Sequence, residues 1–157
     1  MSHAAADRAG LAARKAALSI LSHVLRQRRP LDTQLDALKT LSPRDAGFAR
    51  ALASQSLRHF GALDATIRHF VPKPLAPHKA GAATEILLLG ACELLILKGA
   101  AHAAVDAANN LAAADGKAVH FKSLINAVLR RMSREGASIL AALDAPRLNT
   151  PDWLWTR

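Results

Sequence analysis

The chain has no tyrosine, one cysteine and an aromatic content of only 4%. Each shortage excludes something. A lone thiol, Cys92, cannot close an intramolecular disulfide or build a multi-cysteine zinc site. So few aromatics argue against the stacked-ring platforms with which sheet-based RNA modules hold bases. Residues that favour strands are sparse, whereas Ala and Leu, which favour helix, supply most of the 51% apolar content. Long hydrophobic runs are missing too. The longest, residues 86–97, is interrupted by Glu93 and falls short of the roughly 20 residues that span a bilayer. It reads as a buried helix, and no membrane is expected as a partner. No charged-then-apolar leader opens the chain, so the cytoplasm is the expected compartment.

Acidic residues are the last shortage. Against 21 Lys and Arg stand 12 Asp and Glu, for a net charge of +9. Such an imbalance points to an anionic partner, with nucleic acid first. The excess is localised. Residues 1–30 carry +5, residues 116–134 carry +5 with no acid at all, and everything else sums to −1.

What is present is helical periodicity over 157 residues, a length that suits one domain. Residues 7–27 put Leu11, Ala17, Leu18, Leu21, Val24 and Leu25 on one face and Arg8, Lys15, Ser22 and Arg26 on the other. A short helix follows over 31–41. Ser42-Pro43 is a start signal for a third helix running to about residue 60. A fourth occupies 64–71. Pro72, Pro74 and Pro77 make a stiff loop before the most apolar helix, 79–98, for which Gly99 is the expected cap. Helices over 102–114 and 118–134 complete the set, with a break expected at Gly136 and a weak short helix to residue 143. The expectation is an all-α bundle of about seven helices in two sub-bundles.

Catalytic and metal chemistry find little support. The seven His residues are scattered, no His-Glu-x-x-His pair occurs, and Cys92 falls in the most apolar helix, where a thiol is usually inert core. The expected site is therefore electrostatic. Arg8, Lys15, Arg26, Arg28 and Arg29 of the first segment, with Lys122, Arg130, Arg131 and Arg134 of the second, are candidate phosphate contacts. If the two helices are neighbours, their basic faces merge into one stripe. Asn126 either reads a base edge or satisfies backbone groups at a helix junction. Arg14 stands among leucines on the apolar side of its helix, where it either pairs with an acid from another helix or emerges at the helix start to hold phosphate. From Pro146 the periodicity stops, and Trp153-Leu154-Trp155 has nothing local to pack on, as in a chain that continues into something longer.

Five segments, in order over residues 14–134, resemble one family. Arg14-Lys15-Ala16-Ala17 is similar to the opening helix of NusB-like domains. Asp45-Ala46-Gly47-Phe48-Ala49, Leu57-Arg58 and Leu63-Asp64 resemble the form of that domain preceding ribosomal RNA cytosine-5 methyltransferases of the RsmB (Sun/Fmu) type. Leu87-Leu88-Leu89-Gly90-Ala91-Cys92-Glu93-Leu94-Leu95 resembles the central helix of the domain, and His102-Ala103-Ala104-Val105 and Ile125-Asn126-Ala127-Val128-Leu129-Arg130-Arg131 resemble its last two helices in their methyltransferase-like versions. Three positions depart from the pattern: Leu88 replaces a usual arginine, Ala101 a usual proline, and Asp106-Ala107 a usual Asn-Glu. The resemblance implies a NusB-like RNA-binding domain over residues 1–143 and a linker over 144–157. The linker would lead to a catalytic domain in cis that holds S-adenosylmethionine and a cysteine nucleophile, neither of which belongs to this chain. No cofactor, and no methyl transfer by this chain alone, is expected. The implied partner is ribosomal RNA. The alternative is a stand-alone transcription antitermination factor of the NusB type that binds RNA with a ribosomal protein.

Overall fold

The computed structural model describes residues 3–155, with side chains from Gly10 to Leu154. All regular structure among them is helical, as expected. Helix α1 spans His3–Gln27 and α2 Leu31–Gln34, which continues as a 3-10 turn over Leu35–Thr40. Then come α3 Pro43–Arg58, α4 Phe60–Phe70, α5 Pro77–Ala80, α6 Ala83–Leu95 and α7 Ala101–Ala113. A 3-10 turn over Ala118–Phe121 leads into α8, Lys122–Ala141, and the short α9 (Ala145–Leu148) and α10 (Asp152–Trp155) follow.

The helices form two sub-bundles. In one, α1 packs on α2 and α3. In the other, α4, α7 and α8 surround α6, which also touches α1 and α3 and so belongs to both. That central position explains its composition: ten of its thirteen residues are buried. Its Ile86 and Leu87 pack in a core with Leu52, Leu63, Ile125, Leu129 and Met132, each at most 1% exposed. Gly90 admits the α8 side chains, since a Cβ there would stand 2.7 Å from Leu129 Cδ1. Leu88 and Ala107, two of the positions that depart from the family pattern, are buried and apolar.

Two acids, Glu85 and Glu93, are buried within this apolar helix, each 5% exposed. An unpaired carboxylate there would be expensive, and each meets an arginine of α1. Arg14 Nε donates to both carboxylate oxygens of Glu93 at 3.1 Å, and its Nη2 also donates to Oε1. Its guanidinium carbon lies 5.1 Å from the centroid of the Phe48 ring of α3. Arg26 donates through Nη2 to Glu85 Oε2 at 2.8 Å and through Nε to Oε1. The two pairs make α1 and α6 antiparallel.

Local details differ from expectation in instructive ways. Ser42 caps α3 as foreseen, accepting the Asp45 N–H at 3.2 Å, with Pro43 in the first turn. After α6, however, the left-handed residue is Lys98 (φ 53°), not Gly99. Gly99 instead donates its N–H to Glu93 O at 2.8 Å, and a Cβ on it would come 3.2 Å from Glu93 Cγ. The glycine serves close approach rather than backbone conformation. Arg28 (φ 53°) ends α1 in the same way, at a steric cost of about 1 kcal/mol each. Gly136 does not break α8, because it is buried beside Leu95, where its missing Cβ relieves packing. The expected linker contains two helical turns, and Asn149 reaches back to α4.

Removing one partner of a buried pair strands the other. Glu93→Ala should therefore lower unfolding stability by roughly 3 kcal/mol, measured by urea titration. Glu135→Ala, which breaks the exposed Arg131–Glu135 pair, should cost under about 0.5 kcal/mol. Equal losses would remove the special status of the α1–α6 pair.

Candidate nucleic-acid interface

The two basic segments do not merge side by side. Helix α1 packs on α3, α6 and α7, while α8 packs on α4, α6 and α7, so α6 and α7 stand between them. They converge end-on. The focus is a turn at Gly81 (φ 57°), which precedes α6. A Cβ at Gly81 would overlap the Asp115 carboxylate, so the left-handed glycine and the acid define each other. Asp115 accepts the Ala82 N–H through Oδ2 at 3.2 Å, and the Lys117 and Ala118 N–H groups through Oδ1 at 2.9 Å each. From the other side, Arg26 donates to the Gly81 carbonyl. The end of α1, the start of α6 and the start of α8 are thereby tied to one turn.

Around this turn lie exposed lysines, arginines and histidines. Arg28 and Arg29 follow α1; His78 and Lys79 sit on α5; Lys117, His120 and Lys122 precede or open α8. Helix α5 packs on the 118–121 turn, which brings its lysine to those of α8. Lys79 and His78 were absent from the sequence expectation because they lie outside both charged segments. Packing of α5 on the 118–121 turn and the bond that Asp115 accepts from Ala82, 33 residues away, place them here.

The remaining candidates are distributed. Arg130 and Arg134 are exposed on the outer face of α8, with the small residues Ser123 and Ala127 beside them. Arg131 pairs with Glu135 at 3.2 Å and lies 5.0 Å over the Phe70 ring of α4. Asn126 accepts from Asn109 Nδ2 at 3.2 Å, so it joins α7 to α8 rather than bonding backbone groups. Lys15 is exposed on α1 but about 16 Å along the helix from Arg26. Arg14 is committed to Glu93, and Arg26 to Glu85 and Gly81, which makes both of them framework. The side chain of Arg8 lies outside the described residues.

A family model described as the NusB family matches residues 11–134. The chain belongs to the NusB family. It is 37% identical over 148 residues, 93% of its length, to the ribosomal RNA small subunit methyltransferase B of Xanthomonas campestris pv. campestris. It is 34% identical over 149 residues (94%) to the protein of that name from Pasteurella multocida, and 34% over 146 (90%) to the one from Pseudomonas putida. It spans about a third of the length of these relatives.

Other chemistry on this NusB-family chain is limited. Burial pushes the Cys92 thiol up, away from the nucleophilic thiolate. Among the described residues no group of three or more His, Cys, Asp or Glu could hold a metal, and no helix is long and apolar enough to cross a membrane. A groove of about 300 Å³ lies between the end of α1, α4, the proline loop and α6. Its carboxylates, Asp64 and Glu85, are taken by Arg68 and Arg26, and its Thr84 hydroxyl by Leu75 O.

Burial raises the Asp115 pKa, but the N–H donors of Ala118, Lys117 and Ala82, with Arg26 nearby, outweigh it and hold the carboxyl below its ordinary value. A depressed carboxylate contributes stability above its unfolded pKa near 3.9 and loses it as pH falls through the lower folded value. Stability should therefore drop on acidification below about pH 4. Asp115→Asn should lower the urea midpoint at pH 7 and flatten that acid limb. An unchanged limb would mean that Asp115 is not the junction's anchor.

Proposed function

We propose that this chain is an RNA-binding domain that positions ribosomal RNA for cytosine-5 methylation by a separate S-adenosylmethionine-dependent domain of the same protein. The observation that carries the reading is the convergence of two acid-poor segments on one exposed end of the bundle, Arg28, Arg29, Lys79, Lys117 and Lys122, continued along α8 by Arg130 and Arg134. The relatives, ribosomal RNA small subunit methyltransferases, give the reading its substrate. Lys and Arg that neutralise phosphates release counterions, so such a surface binds RNA with a steep salt dependence. Arginines flanked by Ser123 and Ala127 leave a backbone free to approach the helix closely.

S-adenosylmethionine belongs to the other domain in this reading. The residues here do not fit it, because the acceptors of the groove between α1, α4 and α6, Asp64, Glu85 and Thr84, are already bonded within the fold. This chain's task is then to hold the RNA by its backbone while the chemistry occurs elsewhere.

The test is a titration of the chain with a structured ribosomal RNA hairpin at several salt concentrations. Arg130→Ala/Arg134→Ala should weaken binding and reduce the slope of log K against log salt by roughly 1.4–1.8, about 0.7–0.9 per contact. Arg14→Lys should leave affinity intact and lower stability. An unchanged slope in the double variant, with the helical circular dichroism intact, would make this face merely solvated surface.

A further inference from the structure

Residues 144–150 leave the end of α8 and return to the start of α4. Their path is held at several points. Asp144 Oδ1 accepts the Arg147 N–H at 3.2 Å and so caps α9, and Thr150 Oγ1 donates to Pro146 O at 2.6 Å. Asn149 Oδ1 accepts the Ala62 N–H at 2.8 Å. That bond is the informative one. Ala62 lies in the first turn of α4, where amides have no carbonyl of their own helix to bond. The N-cap residue of α4, His59, supplies no side-chain acceptor. Asn149 therefore does, from 87 residues away, what a Ser or Asp cap normally does locally.

Gly61 points the same way. It lies in α4, and only Gly81 among the glycines has a positive φ. Its backbone would accept alanine, a better helix former. Yet a Cβ on Gly61 would overlap the carbonyl of Leu148, a backbone group with no flexible end to move aside. The glycine is explained by the passage of the returning segment, not by the conformation of its own helix.

We propose that residues 144–150 form a clasp that is part of the folded domain. It seals the N-terminus of α4 with Asn149 and seats the Leu148 carbonyl in the notch left by Gly61. Because α8 already packs on α4, the clasp closes a loop that pins the C-terminal end of the arginine-bearing helix to its neighbour. It also makes the backbone beyond residue 150 depart from the α4 corner rather than from the end of α8. The clasp stands on these contacts alone and does not depend on RNA binding.

The experiment uses the full 157-residue chain. In an open helix, Gly61→Ala would raise the melting temperature. With the clasp seated, it should lower it and speed trypsin cleavage after Arg147 at least tenfold, on the order of the population shift that about 1.4 kcal/mol produces. Asn149→Ala adds no overlap and should accelerate the same cut several-fold at unchanged helix content, which keeps the test intact should Gly61→Ala fail to fold. A raised melting temperature in Gly61→Ala, or cleavage after Arg147 unaltered in Asn149→Ala, would overturn the proposal.

Discussion

Two ion pairs between α1 and α6, Arg14–Glu93 and Arg26–Glu85, each built on a buried carboxylate, set the geometry on which the other features depend. A helix as apolar as α6 can be covered by α1 in several registers, since one leucine stripe slides past another at little cost. Charges cannot slide in this way. A carboxylate 5% exposed must find its cation or be stranded at a cost of several kcal/mol. The arginines are about 18 Å apart along α1 and the glutamates about 12 Å apart along α6, a mismatch that two long side chains reaching in from opposite ends can absorb. Such pairs are weak sources of net stability beside an apolar replacement. Their value lies in fixing one alignment and one direction.

That alignment determines where the surface charge falls. With Arg26 held at Glu85 and Gly81, the end of α1 is locked to the start of α6, and Arg28 and Arg29 emerge there. Asp115 secures the other side of the same turn and brings Lys117 and Lys122 to it. Residues whose summed charge looked like two separate basic segments become one basic end. The arginines split into two kinds: Arg14 and Arg26 turn inward and hold helices together, whereas Arg28, Arg29, Arg130 and Arg134 remain on the surface. Pairing with a buried carboxylate separates the kinds, and net charge alone cannot.

Much of this was legible in the sequence. Helical periodicity located the long helices to within a few residues, because each has an apolar face to bury, except that α8 runs through Gly136 to Ala141, seven residues past its expected end. The Ser42-Pro43 start was readable because a cap is a local device. Cys92 was readable as core because of its neighbours. The tension at Arg14, a cation among leucines, was visible too, but its resolution was not, since Glu93 lies 79 residues away. Whatever depends on such distant partners stayed hidden: the end-on meeting of α1 and α8, the recruitment of Lys79, the pairing of Asn126 with Asn109, and the reason for Gly61. Glycines misled most. Gly99 and Gly136 were read as backbone signals, and both exist because a neighbouring side chain occupies the space of their missing Cβ.

The central claim is that pairing of Arg14 and Arg26 with α6 leaves one RNA face, made of the basic residues at the Gly81 turn and continued along α8 by Arg130 and Arg134. Photo-crosslinking of the chain to a structured ribosomal RNA hairpin, followed by peptide mapping, tests it most directly. The account predicts adducts in residues 28–29, 78–79, 117–123 and 130–134, and none at Lys15 or Lys98. Adducts centred on Lys15, midway along α1, and Lys98, beyond the far end of α6, would contradict it.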